Sequence, residues 1–355
     1  MNYKVTAPKS FPSDASVRLP SSKSISNRAL ILDALTGFKS KLTNLSKAND
    51  TTVLQRMLKS ESGLVDAEDA GTALRFAAVY FSLIDGEHVI TGTERLMNRP
   101  MQPLLDALKS LGGSARFKKV DGKKVLVIRG GKLKGGEVTV DASESSQFIS
   151  ALLLCAPAMP NGLVVNLKGK VVSEPYVDMT LGLIDAVGIG LSIRSNKIGV
   201  PHQSVVPFRW NVESDWSSAA FFYSLLSTYG SGKLMLKGLI ADSLQGDAIA
   251  MDLMQTFGVF STRVEGGVAI EKRNVKLPTS MTVNAKDFPD LVPALTVAAL
   301  CNNVEIKFKG VGHLQLKESN RVDALMATAK QLGASTTLNG KGGFTVSPIK
   351  QFVGT

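Results

Sequence analysis

A constant spacing of helix openings constrains this chain more than any other feature. Five times a Ser- or Asp-tipped junction opens a strongly apolar, helix-length run that passes through Gly or Asn into a strand of Val, Leu or Ile. The openings are Ser24-Ile25-Ser26-Asn27-Arg28, Asp69-Ala70-Gly71-Thr72, Ser145-Ser146-Gln147-Phe148, Ser217-Ser218-Ala219-Ala220 and Pro289-Asp290-Leu291-Val292. Gly71, Ser145, Ser217 and Asp290 stand 74, 72 and 73 residues apart. A fixed period of this size marks an internal repeat.

The remainder of each unit recurs as well. A second, more amphipathic helix ends at glycine in Leu111-Gly112-Gly113, Val187-Gly188, Phe257-Gly258 and Leu332-Gly333. Glycine accepts the left-handed conformation that closes a helix, so these are stop signals with a mechanism. Short alternating runs follow, such as Ala115-Arg116-Phe117 with Val125-Leu126-Val127-Ile128. With a leading strand from the preceding segment, each unit reads βαβαββ. The first unit is shortened, about 50 residues from Ser22 to Gly71, and is expected to lack its hairpin. The period projects a sixth opening near residue 363, beyond Thr355. The expectation is an α/β chain with five units of six, either naturally short or truncated. The boundary falls near Pro207–Asn211, with a second crossing near Arg18–Pro20, giving domains 1–18 plus 211–355 and 19–210.

Composition narrows the class of function. With 355 residues, 44% of them hydrophobic, the chain can bury a core for about two domains. Cys155 and Cys301 both lie in apolar helical runs and read as reduced core residues, which suits a cytoplasmic protein. No run approaches the ~20 apolar residues of a membrane span. A net charge of +11 calls for an anionic partner. The charges read as dispersed, and aromatics make up only 6% of residues. Small phosphorylated metabolites therefore fit better than nucleic acid. Lys118-Lys119 and Lys123-Lys124 read as a solvated hairpin.

Several helix openings carry anion-binding chemistry. In Lys23-Ser24-Ile25-Ser26-Asn27-Arg28, two cations and two hydroxyls gather at a helix N-terminus, whose partial positive charge disfavours them unless an anion is shared. Lys317 and Arg321, spaced i,i+4, repel on one helix face, by roughly 0.2–0.5 kcal/mol, unless an anion lies between them. The same run also reads as an exposed, charged helix start. Glu318 beside them is a candidate proton donor. Asp290 is either a helix cap or a catalytic group. His88, His202 and His313 have no metal-ligand spacing, and no nucleotide fingerprint or nucleophile elbow is present. A cofactor-free, metal-free transferase acting on phosphorylated substrates is the class that remains.

Taken together, Lys23-Ser24-Ile25-Ser26-Asn27-Arg28, Ala70-Gly71-Thr72-Ala73-Leu74-Arg75, Ser145-Ser146-Gln147-Phe148 and Lys317-Glu318-Ser319-Asn320-Arg321 resemble the enolpyruvyl transferases from Val5 onward, in the branch acting on shikimate 3-phosphate. The resemblance implies six βαβαββ units, three to a domain, with helix N-termini facing an interdomain cleft that closes on substrate. It implies transfer of the enolpyruvyl group of phosphoenolpyruvate to the 5-hydroxyl of shikimate 3-phosphate, with release of phosphate, in aromatic amino-acid biosynthesis.

By the same resemblance Lys23 touches both substrates, and Ser24, Arg28, Ser145, Ser146, Ser173 and Tyr176 hold shikimate 3-phosphate. Gln147 lies where the two substrates meet. Gly71, Arg99 and Arg321 hold phosphoenolpyruvate. Asp290 is the base at the attacking hydroxyl, Lys317 stands near that oxygen, and Glu318 protonates the methylene carbon. His313 occupies a position where the family often has an Asn contacting the shikimate phosphate. Asp69 replaces a commonly neutral residue, and the family's later Asp-His-Arg helix start and Lys have no counterpart before Thr355. A monomer is implied, with neither nucleic acid nor membrane as partner. Two alternatives stand beside this reading. One is a truncated chain that binds shikimate 3-phosphate without turnover. The other is the sister transferase acting on a uridine-diphosphate sugar, whose usual loop Cys is absent from Arg95 to Pro100.

Overall fold

The protein is described from a computed structural model that covers residues 11, 15–143, 145–316 and 319–351. It divides into two compact units: Ser21–Glu213, here the inserted unit, and the flanking segments up to Pro20 and from Ser214 onward, here the terminal unit.

The terminal unit begins with β1 (Ala15–Arg18). The inserted unit follows with α1 (Lys23–Leu35), β2 (Lys41–Thr43), α2 (Asn49–Leu58), β3 (Leu64–Asp66), α3 (Gly71–Leu83), β4 (Gly86–Thr91), the one-turn α4 (Glu94–Met97) and α5 (Gln102–Ser110). It continues through β5 (Ser114–Val120), β6 (Lys123–Gly130), β7 (Gly136–Asp141), α6 (Ser146–Cys155), β8 (Leu163–Lys168), α7 (Glu174–Ala186), β9 (Ser192–Arg194), β10 (Lys197–Val200) and β11 (Arg209–Asn211). The terminal unit resumes with α8 (Trp216–Ser227), β12 (Gly232–Lys237), a mixed helical stretch over 246–257 containing α9 (Ala250–Leu253), β13 (Val259–Val264) and β14 (Gly267–Lys272). It then runs β15 (Ser280–Asn284), α10 (Val292–Cys301), β16 (Glu305–Lys309), α11 (Arg321–Gln331), β17 (Ala334–Leu338) and β18 (Gly343–Ile349).

One strand order recurs in four sheets: β3-β4-β6-β5, β7-β8-β10-β9, β1-β12-β14-β13 and β15-β16-β18-β17. In each the first two strands are parallel and the others antiparallel. A parallel pair needs a crossover, and α3, α6 and α10 supply it within three of the sheets, while the whole inserted unit lies within the β1-to-β12 connection. The shortened first repeat has no hairpin of its own: α2 leads directly to β3, and β2 pairs in parallel with β11.

Helices α1, α3 and α6 lie inside the inserted unit. Ten consecutive residues of α1, Ile25 to Ala34, are buried, and α3 and α6 are buried nearly all round. A helix apolar on every side belongs in an interior, which is why these three show so little amphipathic contrast in sequence. In the terminal unit, α8 and α10 take this place with Trp216, Tyr223, Leu226, Leu295 and Ala298 buried. One of the two cysteines departs from the sequence expectation. Cys155 is buried in α6, whereas Cys301 is exposed at the end of α10, one turn after the exposed Val297 on the same side. An apolar run thus signalled a buried helix without revealing that one of its faces remains open. No helix among the described residues is long and apolar enough to cross a membrane.

Candidate active site

The inserted unit gathers its polar groups at the starts of its buried helices. Ser22 caps α1 by accepting from the Ile25 N–H at 3.4 Å. Lys23, the first residue of that helix, pairs with Asp50 at the start of α2, at 3.6 Å. Ser24 is half-buried, and its carbonyl accepts from Arg28 Nη1 at 2.9 Å.

Arg28 is only 2% exposed. Its Nε donates to Thr180 Oγ1 at 2.7 Å, and its Nη2 donates to the Tyr176 carbonyl at 2.8 Å and to Ser150 Oγ at 3.3 Å. The guanidinium also lies 5.6 Å from the Phe76 ring centroid. Burial pushes its pKa down to about 10, so it remains a cation at neutral pH, held among neutral oxygens of α6 and α7. These partners lie more than 120 residues away in sequence. Neither Ser150 nor Thr180 was legible as part of the site beforehand; only their positions inside helical runs could have drawn attention to them.

At the next helix start, Ser145 caps α6 by accepting from the Gln147 N–H at 3.3 Å. Ser146 is buried beside it. The Gln147 side chain donates to Thr72 Oγ1 at 3.1 Å, which ties the starts of α6 and α3 together. Ser173 precedes α7 in a left-handed conformation, φ 56° and ψ 47°, and is buried. That conformation costs a non-glycine residue on the order of 1 kcal/mol. Tyr176, in the first turn of α7, is half-buried.

The start of α3 carries the most concentrated charge. A Cβ on Gly71 would lie 2.5 Å from Arg99 Nη1 and 2.8 Å from Arg75 Nη1, so both guanidiniums rest directly on the bare backbone there. Arg75 donates to the Gly71 carbonyl at 2.8 Å and to the Pro100 carbonyl at 3.2 Å. Its guanidinium also lies 5.5 Å from the Phe148 ring centroid. Two guanidiniums at the positive end of a helix suit the binding of an anion. In sequence Arg75 closes the Ala70–Arg75 run, i,i+4 from Gly71, and nothing there joins it to Arg99. The awkward carboxylate of Asp69 accepts from the Asn49 amide at 3.4 Å, and neighbouring Glu68 pairs with Arg56 at 2.7 Å. Hydrogen bonds from Arg56 and Asn49 hold the Glu68 carboxyl below its ordinary range.

In the terminal unit, Asp290 lies in the short 3-10 turn that precedes α10, and Arg321 opens α11. They form an ion pair of 2.5 Å between Oδ1 and Nη1, with side chains 32% and 28% exposed. Asn320 caps α11 by accepting from the Asp323 N–H at 3.3 Å. His313 is half-buried in the turn over Gly312–Leu316. Lys317 and Glu318 lie outside the described residues. Among the described residues, no group of three or more His, Cys, Asp or Glu side chains is placed to hold a metal ion.

The repeated βαβαββ sheets carry hydroxyls and a pair of guanidiniums at their helix starts, an arrangement suited to small anions. Comparison with known proteins places it. A family profile for EPSP synthase (3-phosphoshikimate 1-carboxyvinyltransferase) matches residues 9–62 and 54–355. A protein of Bacteroides fragilis (strain YCH46) with the name 3-phosphoshikimate 1-carboxyvinyltransferase is 38% identical over 334 residues, covering 94% of this chain and 81% of that protein. One of the same name from Korarchaeum cryptofilum (strain OPF8) is 33% identical, covering 91% and 81%. The fold is shared with the solved EPSP synthase of Acinetobacter baumannii, with a TM-score of 0.75 at 20% identity, over 97% of this chain and 84% of that one. The chain belongs to the EPSP synthase family.

Proposed function

We propose that this protein transfers the enolpyruvyl group of phosphoenolpyruvate to the 5-hydroxyl of shikimate 3-phosphate and releases inorganic phosphate, a step of aromatic amino-acid biosynthesis. Membership of the family and the names of its relatives support the reaction. The observation that carries the reading to residues is the convergence of Arg75 and Arg99 on Gly71 at the start of α3. Phosphoenolpyruvate carries both a phosphate and a carboxylate, which suits two guanidiniums and a helix N-terminus.

In this reading Gly71, Arg99 and Arg321 hold phosphoenolpyruvate, and Arg75 joins them. Ser24, Arg28, Ser145, Ser146, Ser173, Tyr176 and His313 hold shikimate 3-phosphate, while Lys23 and Gln147 meet both substrates. Asp290 takes the proton of the 5-hydroxyl as that oxygen bonds to C2 of phosphoenolpyruvate. Lys317 stands by the same oxygen, and Glu318 delivers a proton to C3, which becomes a methyl group. The tetrahedral intermediate then loses one methyl proton, the bond from C2 to the phosphate oxygen breaks, and phosphate departs with the electron pair. Positioning and charge neutralisation supply most of the acceleration. The two compact units serve as the domains of a cytoplasmic monomer.

Phosphate release measured with each substrate alone and with both tests the proposal. Release only when both are present supports it; release from phosphoenolpyruvate alone, or none with both, contradicts it.

A further inference from the structure

The basic charge of this chain is not spread over it. From Lys109 to Lys134 there are nine lysines and arginines against a single acid, Asp121, which places eight of the formal +11 in one stretch. That stretch is the β5–β6 hairpin with its flanks, and it belongs to the same sheet as β4. Across the ladder Lys119 stands directly opposite Lys124, a like-charge pairing that weakens a hairpin. Among the described residues, Arg129 is the member of this group with a carboxylate partner, Glu87 at 3.8 Å.

β5 is the last strand of its sheet, and lysines on such an edge discourage edge-to-edge association. That purpose needs only a few of them on β5, and does not account for Lys123 on β6 or for Lys132 and Lys134 beyond it. The group also has a direction. Lys124 lies over the Phe117 ring at 4.3 Å, and its Nζ reaches Asn98 Oδ1 at 3.5 Å. Asn98 immediately precedes Arg99, whose guanidinium rests on Gly71. Lys124 therefore touches the residue that precedes the cradle's Arg99 in sequence.

We infer that the β5–β6 hairpin is an electrostatic collector that draws the anionic substrates toward the cradle of Arg75 and Arg99. The inference rests on the proposed reaction, because it needs substrates of several negative charges. Clustered charge of one sign raises the local concentration of a counter-charged substrate and its rate of capture, and salt abolishes the effect. The hairpin lysines take no part in chemistry; they act before binding.

The test compares two triple variants of equal total charge. One is Lys119→Gln, Lys123→Gln and Lys132→Gln on the strip. The other is Lys276→Gln, Lys330→Gln and Lys350→Gln, three exposed lysines of the terminal unit. Steady-state kinetics with phosphoenolpyruvate and shikimate 3-phosphate are measured from about 20 mM to 1 M salt, over which the screening length falls to about 3 Å. The strip variant is expected to lose roughly three- to tenfold in kcat/KM for phosphoenolpyruvate at low salt. Its kcat should be unchanged, and the deficit should vanish at high salt while the control variant follows the unsubstituted chain throughout. An active chain whose strip variant matches the control overturns the inference alone. An unsubstituted chain without turnover overturns the proposed reaction and the inference with it.

Discussion

At the scale of single residues, a few close contacts hold the candidate site together. Gly71 is required because two guanidinium ends occupy the space where a side chain would begin. Both are far ends of flexible side chains, so Gly71→Ala should fold and displace them. The expected result is a rise of about tenfold or more in KM for phosphoenolpyruvate, with a stability change within about 1 kcal/mol, read by kinetics and thermal denaturation. Asp290 is held in place by its ion pair with Arg321. Asp290→Asn should lower kcat by roughly 10²- to 10⁴-fold, and calorimetric titration should still detect binding of shikimate 3-phosphate. Sequence reading reached Gly71, Arg99, Asp290 and Arg321 separately. It could not bring Arg75 to Arg99, or Asp290 to Arg321, because those meetings depend on how loops return to helix starts.

The elements act through the ends of buried helices. Arg28 of α1 binds α6 and α7 through Ser150, Thr180 and the Tyr176 carbonyl, and lies over Phe76 of α3. A lysine keeps the charge but lacks the planar fork needed for several partners at once. Arg28→Lys should therefore cost about 1–3 kcal/mol in chemical denaturation and weaken shikimate 3-phosphate binding. The sequence periodicity made α1, α3 and α6 legible as helices because their apolar runs are long. The partners of Arg28 were hidden because single Ser and Thr residues within such runs carry no signal of their own. The same limit applies to the cysteines: an apolar run does not reveal whether one face is open. Thiol titration of the native protein should show one reactive cysteine, Cys301, and both after denaturation. Burial pushes the Cys155 thiol far up, keeping it protonated and inert at neutral pH.

For the whole molecule, the recurring strand order explains why the spacing of helix openings was so informative. Each period returns the chain to the same strand-helix-strand crossover, so the groups at successive helix starts are renewed with the fold. Net charge alone hides the uneven distribution, which the run from Lys109 to Lys134 already carries in sequence; the pairing of β5 with β6 and the contact of Lys124 with Asn98 give it a place in the fold. The central claim is that this chain carries out an addition and elimination at C2 of phosphoenolpyruvate. The most direct measurement is the reaction in deuterated water, followed by NMR and mass spectrometry of the product. The expected product is an enolpyruvyl ether of shikimate 3-phosphate that carries deuterium at its methylene carbon, because C3 passes through a methyl group, with one phosphate released per product. Pyruvate and phosphate formed without shikimate 3-phosphate, or an ether product free of deuterium, would contradict it.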